Sequence, residues 1–232
     1  MGYTIAQAND FINQIAPLMK TEATKRGYKI VSTAIAQAII ESAAGTSKLG
    51  YAYHNYFGLK CGSSWKGASV NMKTKEEYKV GTLTTIRDNF RAYPNMEEGV
   101  IGYYDFISTK RYANLKTATT PREYAEMLKA DGYATSSTYI TTLVNTVTKY
   151  GLEKYDDPST VVVVKPTLKK GSRGEAVKAL QTFLNLKGYP CGVADGIFGQ
   201  RTYQAVVEWQ KDHPACGTPD GIVGKKTWAT LY

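Results

Sequence analysis

The segment from residue 33 to residue 43 is apolar on almost every side of a helical wheel. Its apolar positions are Ala34, Ile35, Ala36, Ala38, Ile39 and Ile40. Ser32 is a suitable cap for its start, and Gly45 lies just past its end. A helix that is apolar all round is normally buried, so we predict a buried helix here. Two polar residues, Gln37 and Glu41, interrupt it, and because they lie four apart they share one face.

Earlier in the chain, capping signals predict two short helices. Thr4 followed by Gln7 is a capping-box pattern for a helix over residues 5–16. Pro17 is typical of a first helical position, so it predicts a second helix that ends near Gly27.

Residues 62–93 have a different character from the segments around them. They are rich in Thr, Val, Tyr and charged residues with loose alternation, and Gly81 breaks the run, which predicts two or three short strands. Cap and stop signals then predict helices over residues 95–107, 121–132 and 137–150. The predicted fold class is therefore mainly α, of the α+β type, with a small β element.

Residues 157–166 mark a domain boundary. Two prolines flank a β-branched run there, which predicts an extended and fairly stiff linker between domains at 1–156 and 167–232. The second domain contains an internal repeat, because DGIFGQRT at 195–202 recurs as DGIVGKKT at 220–227. Its glycines suit tight turns, and each threonine is placed to cap a following helix.

Composition narrows the classes of function. The chain has 232 residues, 43% of them hydrophobic, which suits one domain of ordinary size and a smaller one. The net charge is +9, but no stretch combines clustered Lys and Arg with aromatics, so nucleic-acid binding is poorly supported. A diffuse positive field favours association with an anionic polymer. No apolar run is long enough to span a membrane.

The cysteines and histidines do not suggest a metal site. Cys61, Cys191 and Cys216 lack metal-ligand spacing, and the chain has two histidines, so neither a metal nor another cofactor is expected. Cys191 and Cys216 fall in one small domain, and a disulfide between them is one alternative. Free thiols are the other, since a protein made in the cytoplasm starts reduced.

Glu41 is the main candidate for chemistry. It falls in the last turn of the predicted buried helix, where the helix dipole disfavours a charged carboxylate. Burial acts in the same direction, so we predict a raised pKa, which suits a general acid near neutral pH. The alternative is that Glu41 only forms a salt bridge or caps a neighbouring element.

The motif around Glu41 favours the catalytic alternative. AQAIIES at 36–42, followed by Gly45, Ser47 and NYFGLK at 55–60, resembles the glucosaminidases of glycoside hydrolase family 73. The resemblance implies a lysozyme-like helical catalytic domain with a small β-lobe, and Glu41 as its catalytic acid. The family more often has Trp-Gly where this chain has Ala44 and Gly45, which leaves the acid intact.

The same resemblance implies further site residues. It places Tyr133, the first residue of a Y-A-T motif, in the active site. It also implies a second carboxylate from the β-lobe. The T-x-E spacing from Thr74 selects Glu76, whereas the E-Y adjacency at Tyr78 selects Glu77. Strand alternation puts position 76 on the side of positions 70, 72 and 74, so we prefer Glu76 and keep Glu77 as the alternative.

Four residues around Glu41 are candidates for substrate binding. They are Gln37, Asn55, Phe57 and Gly58. Phe57 and Gly58 indicate a tight turn beside the cleft. For Asn55 two roles remain open, holding a loop backbone or contacting a sugar amide.

The C-terminal part resembles a small three-helix peptidoglycan-binding domain. The resemblance rests on LQ-x-x-L, AV-x-x-[FW]Q and DG-x-x-G-x-x-T signals over residues 167–232. Together the two resemblances imply a monomeric endo-β-N-acetylglucosaminidase that cleaves bacterial peptidoglycan and binds the wall. The alternatives are an N-acetylmuramidase or lytic transglycosylase on the same polymer, or a non-catalytic wall-binding protein.

The N-terminal sequence MGYTIAQANDF carries no signal-peptide pattern, since it lacks a basic region followed by an apolar core. We expect either a phage endolysin that is released by a holin, or a trimmed secreted autolysin.

Overall fold

The computed structural model describes residues 2–79, 82–160 and 166–231, with backbone but not side chains for residues 75–79, 82–84 and 175. The chain divides into two compact units, Met1–Val162 and Val163–Tyr232. The division falls inside the segment 157–166 that we assigned to the linker. No helix among the described residues is both long enough and apolar enough to cross a membrane.

The first unit is helical with one β-ribbon, as expected. Its α-helices are α1 (Ile5–Arg26), α2 (Ser32–Glu41), α3 (Lys48–Tyr53), α4 (Met96–Ile107), α5 (Pro121–Ala130) and α6 (Tyr139–Tyr150). Two short 3₁₀ helices cover Lys110–Thr117 and Leu152–Tyr155. The ribbon consists of β1 (Ser69–Lys79) and β2 (Thr82–Arg91).

Helix α1 corrects the prediction of two helices. The predicted capping box is present, since the Thr4 side chain accepts from Gln7 N and the Gln7 side chain accepts from Thr4 N. However, α1 continues through Pro17 to Arg26. Apolar residues on both sides of Pro17, such as Ile15 and Met19, lie in one core, and this shared packing outweighs the missing backbone donor.

Helix α2 is the buried helix of the prediction, but its cap is different. Ser32 is its first helical residue rather than its cap. Val31 occupies the N-cap position, and its side chain makes no capping hydrogen bond. Instead, the Asp156 carboxylate accepts from Val31 N at 2.7 Å, from Ser32 N at 2.8 Å and from Ser32 Oγ at 2.6 Å. A carboxylate at a helix N-terminus satisfies free donors and complements the dipole.

A tight turn follows the C-terminal end of α2. Ala43 and Ala44 both have φ near +50°, a region that costs energy for residues with a Cβ. Ser42 stabilises the turn, because its hydroxyl donates to Ala38 O at 2.6 Å and accepts from Gly45 N at 2.7 Å. A Cβ on Gly45 would lie only 2.8 Å from the Phe11 ring, so the chain approaches α1 too closely for a larger residue.

The strand-like segment forms a two-stranded antiparallel ribbon in the described residues. The register pairs Val70 with Phe90 and Thr74 with Ile86, and it shifts between Glu77 and Lys79. On β1, Val70 and Thr74 are partly buried. One face of the ribbon is therefore more protected from solvent than the other, as the alternation in the sequence predicts.

The second unit is a three-helix domain, as predicted. Its helices are α7 (Glu175–Leu186), α8 (Gln200–Asp212) and α9 (Lys225–Leu231), with a 3₁₀ turn at Pro214–Cys216. Its apolar core includes Leu180, Phe198 and Trp228, and among the described residues it shares none with the core of the first unit.

The internal repeat builds the same hydrogen-bonded cluster twice. Buried Gln181 accepts from Gly196 N at 2.8 Å, and its amide nitrogen lies 3.0 Å from Asp195 Oδ1 and 3.1 Å from Thr202 Oγ1. The second repeat has the matching set Gln210, Gly221, Asp220 and Thr227. Each DG turn is therefore joined to the preceding helix through one glutamine, which explains the spacing of the repeat.

The disulfide alternative for Cys191 and Cys216 is wrong in this structure, because both thiols are free. The two buried side chains have different surroundings. Cys191 Sγ lies 3.4 Å from Gln181 O, whereas Cys216 Sγ lies 3.1 Å from Thr230 Oγ1. Each cysteine packs in the core as a small apolar residue with a weak polar contact.

Candidate active site

Glu41 lies where buried helix α2 reaches the surface. Residues 32–39 of α2 are buried, Ile40 is partly buried, and Glu41 is exposed. The turn of the NYFGLK segment borders its carboxyl, since a Cβ placed on Gly58 would lie 3.8 Å from Glu41 Oε2. Gly58 has φ +64°, a conformation that favours glycine. Thus a rigid helix presents Glu41 at the surface beside a tight turn.

The surroundings of Glu41 raise its pKa. Desolvation by nearby protein atoms raises the pKa of this carboxyl from 4.5 to about 7, and Tyr139 lowers it by a smaller amount. The Glu41 residue is exposed as a whole, but protein atoms near its carboxyl group reduce the hydration of that group. A carboxyl with a pKa near 7 is available both to donate and to accept a proton at neutral pH.

Tyr133 lies close to this carboxyl and to the turn. Its hydroxyl donates to the Phe57 carbonyl at 2.8 Å. Its ring stacks on that of Tyr139, with centroids 6.5 Å apart. Burial raises the pKa of Tyr133 well above its ordinary value, with further contributions from Tyr139 and Glu41. The structure therefore brings together Glu41, Tyr133 and the turn at residues 57–58.

Gln37 lies one turn before Glu41 and is fully buried. Its Oε1 accepts from Tyr103 Oη at 2.8 Å, and Tyr103 Oη lies 3.2 Å from Tyr124 Oη. Among the residues that the structure describes, its Nε2 has no hydrogen-bond partner of ordinary geometry, and neither has the buried hydroxyl of Tyr139.

Asn55 holds the NYFGLK segment against the β-ribbon. Its Nδ2 donates to Leu59 O and to Arg91 O, both at 2.9 Å, and its Oδ1 accepts from Leu59 N at 2.9 Å. This is the loop-holding role we considered for it, and Asn55 is only 1% exposed. The chain just before this segment lies against α4, where a Cβ on Gly99 would clash with the His54 carbonyl.

Phe57 forms part of the floor behind the turn. It is buried and stacks on Tyr103, with ring centroids 3.9 Å apart and planes 16° apart. The observed contacts of Gln37, Asn55 and Phe57 are thus with protein groups, whereas Gly58 is partly exposed. Contact of these four residues with a sugar remains a prediction.

The choice between Glu76 and Glu77 stays open. Their side chains lie outside the described part of the structure, but their backbones belong to β1, where Glu76 pairs with Thr84 and Glu77 with Leu83. The register keeps position 76 in the series of Val70 and Thr74. Among the side chains that the structure does describe, no three His, Cys, Asp or Glu residues are grouped as metal ligands.

A family model described as mannosyl-glycoprotein endo-beta-N-acetylglucosaminidase matches residues 16–152. The chain belongs to this glucosaminidase family. A second family model, described as putative peptidoglycan binding domain, matches residues 173–231. The two matches fall in the two compact units of the structure.

Relatives of the glucosaminidase domain support this assignment. Exo-glucosaminidase LytG of Bacillus subtilis is 34% identical over 157 residues, which cover 65% of this chain and 52% of that protein. A probable N-acetylmuramidase of Lactococcus lactis is 33% identical over 157 residues, 64% of this chain and 35% of that protein. The chain thus spans about half or less of the length of these curated relatives.

A solved structure has the same fold as the glucosaminidase domain. It is a peptidoglycan hydrolase mutant from Sphingomonas sp. A1, and its TM-score with this chain is 0.56 at 29% identity. The match covers 63% of this chain and 96% of the other.

Sequence reasoning missed one residue beside the candidate acid. Tyr139, the first residue of α6, is the described side chain that lowers the pKa of Glu41, yet we had not singled it out. The signal was present, because Tyr139 is the second tyrosine of the Y-A-T-x-x-x-Y motif that begins at Tyr133.

Glu41→Gln should make the stability of the protein less dependent on pH. The folded-state pKa of about 7 exceeds the ordinary value of 4.5, so the native state holds its proton more tightly than the unfolded chain. The free energy of unfolding of the wild type therefore falls between pH 4.5 and pH 7, and the loss is complete above pH 7. Glutamine has no such loss, so Glu41→Gln should have a higher Tm than the wild type at pH 8 but a similar Tm at pH 4.

Thermal unfolding at the two pH values provides the measurement. Exposed Glu97→Gln serves as the matched control for loss of one carboxylate. An equal Tm difference between Glu41→Gln and wild type at pH 4 and pH 8 would contradict the raised pKa.

Proposed function

We propose that this protein is an endo-β-N-acetylglucosaminidase that hydrolyses the β-1,4 bond after N-acetylglucosamine in bacterial peptidoglycan. The family assignment supports a glycosidase, and the second domain supports peptidoglycan as the polymer. The observation that carries the proposal is the Glu41 carboxyl, which has a raised pKa and lies at the exposed end of a buried helix.

Glu41 acts in this proposal as the general acid. Cleavage of a glycosidic bond needs a proton on the leaving oxygen as the bond breaks. With a pKa of about 7, the carboxyl is largely protonated in slightly acidic solution and gives up its proton readily near neutral pH. Fixation at the end of α2 holds the donor in place while a flexible polymer is bound.

The second half of the reaction has two proposed routes. In one, Glu76, or Glu77 in the other register, supplies a carboxylate from the β-ribbon that activates water or attacks the sugar. In the other, the acetamido group of the substrate attacks its own sugar, and Glu41 is the only carboxylate of the protein in the reaction. Tyr133 lies beside both the acid and the turn, where it is placed to orient a bound sugar.

The C-terminal domain binds the wall in this proposal. Its described residues form an independent core, and each DG turn is braced by a buried glutamine. The net charge of +9 favours association with anionic wall polymers as well as with peptidoglycan. We expect the protein to act at the bacterial cell wall as a monomer.

A second candidate is cleavage of the neighbouring glycosidic bond. The observation in its favour is the 33% identity to a probable N-acetylmuramidase. The reducing ends of the products separate the two activities, since N-acetylglucosamine ends follow from our proposal and muramic acid ends from the alternative.

Glu41→Gln should abolish lysis of purified walls while the fold is retained. An amide has no acidic proton to give to the leaving oxygen, and general acid catalysis is worth about 10²–10⁴-fold in rate. Turbidity loss and mass spectrometry of the reducing ends measure the effect, with Glu97→Gln as control. Activity of Glu41→Gln near that of the wild type would exclude the carboxyl from the mechanism.

Single Gln substitutions at positions 76 and 77 should identify the second carboxylate. We expect a large loss of activity for Glu76→Gln and little loss for Glu77→Gln, because adjacent strand residues face opposite sides. Initial rates on soluble muropeptide oligomers provide the measurement. The reverse pattern would support Glu77, and two mild effects would support substrate assistance.

Deletion of residues 167–232 should weaken binding to intact walls but leave cleavage of small soluble fragments. The two apolar cores share no residue among the described ones, so the first unit keeps its own core. Pull-down with purified walls and rates on soluble fragments measure the two properties separately. Equal losses in both assays would show that the second domain takes part in cleavage.

A further inference from the structure

Arg91, the last residue of β2, is fixed beside the turn that borders Glu41. Its backbone N–H donates to Leu59 O at 2.9 Å, and its backbone carbonyl accepts from Asn55 Nδ2 at 2.9 Å. Leu59 directly follows Gly58, on which an added Cβ would lie 3.8 Å from the carboxyl of the acid. The segment that borders the acid therefore also fixes the point from which the Arg91 side chain extends.

The guanidinium of Arg91 packs against two aromatic rings. Its Cζ lies 4.6 Å from the centroid of the Trp65 ring and 5.4 Å from that of the Phe106 ring. Its Nε donates to Lys60 O at 3.1 Å. Contact with aromatic faces restricts an arginine side chain and keeps its planar fork of donors in one orientation. The guanidinium is thus held in place before any ligand binds.

A row of ring contacts connects Arg91 with the surroundings of the acid. Phe106 meets Tyr133 edge to face, with ring centroids 6.0 Å apart. The Tyr133 hydroxyl in turn donates to the Phe57 carbonyl at 2.8 Å, in the turn beside the acid. The side chains of this row are all partly exposed, and they are Trp65, Arg91, Phe106 and Tyr133. Partly exposed aromatic faces and an arginine fork suit sugar rings and their anionic substituents.

Arg91 has no carboxylate partner among the side chains that the structure describes. The aspartates of β2 and α4 pair with other cations, since Asp88 lies 3.1 Å from Lys60 Nζ and Asp105 lies 2.7 Å from Arg26 Nη1. The backbones of the two glutamates of β1 belong to the opposite end of the ribbon. A guanidinium that is held at the surface without an internal anion is ready to bind the carboxylate of a ligand.

We propose that Arg91 binds a carboxylate carried by the muramoyl residue next to the bond that is cleaved. This inference rests on the proposed cleavage of peptidoglycan, in which N-acetylglucosamine alternates with a sugar that bears a lactyl group and a peptide. The peptide carries carboxylates, and so does the lactyl group once the peptide has been removed, whereas N-acetylglucosamine carries none. Arg91 thereby distinguishes peptidoglycan from a polymer of N-acetylglucosamine alone.

The free edge of the guanidinium matches this ligand. Because Nε donates to the Lys60 carbonyl, the edge formed by the two Nη groups is left for a bidentate pair with a carboxylate. Trp65 and Phe106 act as positioning residues that hold this edge in one orientation. Lysine at position 91 would keep the charge but lose the planar fork.

The test measures binding by Glu41→Gln, which binds without cleavage, with and without Arg91→Gln as a second substitution. Three soluble ligands of equal length are compared: peptidoglycan oligomers with their peptides, the same oligomers after an amidase has removed the peptides, and chito-oligosaccharides. Arg91→Gln should weaken binding of carboxylate-bearing oligomers by about tenfold to a hundredfold and leave binding of chito-oligosaccharides unchanged. A loss confined to oligomers with peptides identifies a peptide carboxylate, and a loss confined to stripped oligomers identifies the lactyl carboxylate.

Arg87→Gln is the matched control. It removes the same charge from an exposed position of the same strand, so it tests whether a diffuse field explains the effect. We expect unchanged affinity for all three ligands in Arg87→Gln and only partial recovery of affinity in Arg91→Lys. If Arg91→Gln weakens all three ligands equally, Arg91 is only structural and the inference is wrong. Equal effects of Arg87→Gln and Arg91→Gln would overturn it as well.

Release of reducing ends from purified walls separates this inference from the proposed function. If the wild type releases N-acetylglucosamine ends but Arg91→Gln leaves all three affinities unchanged, this inference alone is wrong. If the wild type releases no such ends while binding still depends on the ligand carboxylate through Arg91, the proposed cleavage alone is wrong.

Discussion

The burial of α2 is the constraint on which the rest of the first unit depends. This ten-residue helix packs against α1, α5, α6 and the 3₁₀ helix at Leu152–Tyr155, and its apolar residues leave no side free for water. Each fully buried isoleucine contributes about 1.5–3 kcal/mol, and Asp156 satisfies the free donors at the N-terminal end. A helix held along its length and at its start leaves Glu41, its last residue, exposed to solvent at the far end. The position of the acid is thus a consequence of how the core is packed.

Opposing electrostatic influences act on that acid. Desolvation and the negative end of the helix dipole favour the neutral carboxyl, whereas a hydroxyl from α6 favours the charged form. The tyrosines that surround it supply polar groups without introducing charge. A pKa near 7 follows from this balance rather than from a paired ion, which leaves the carboxyl free to exchange its proton with a substrate.

The tight turns around Glu41 have a related physical origin. Ala43 and Ala44 adopt left-handed backbone conformations, and Ser42 holds the turn with two hydrogen bonds. On the other side, Asn55 uses three hydrogen bonds to join the NYFGLK turn to the end of β2. The acid is therefore flanked by two segments whose conformations are fixed by short polar side chains. The C-terminal domain applies the same device, since Gln181 and Gln210 each hold a DG turn against a helix.

Local patterns in the sequence determined the helical class, the Thr4 capping box, the ribbon, the repeated DG turns and the placement of Glu41 at the end of a buried helix. These features depend on residues close together in the chain, so periodicity and capping patterns in the sequence are enough to predict them. Tertiary structure decided the rest. Helix α1 runs through Pro17 because its apolar face is continuous, and the cap of α2 comes from Asp156, more than a hundred positions away. Tertiary packing also decides that Cys191 and Cys216 remain free thiols. It likewise brings Tyr139 near Gln37 and Glu41, which lie about a hundred positions earlier in the chain.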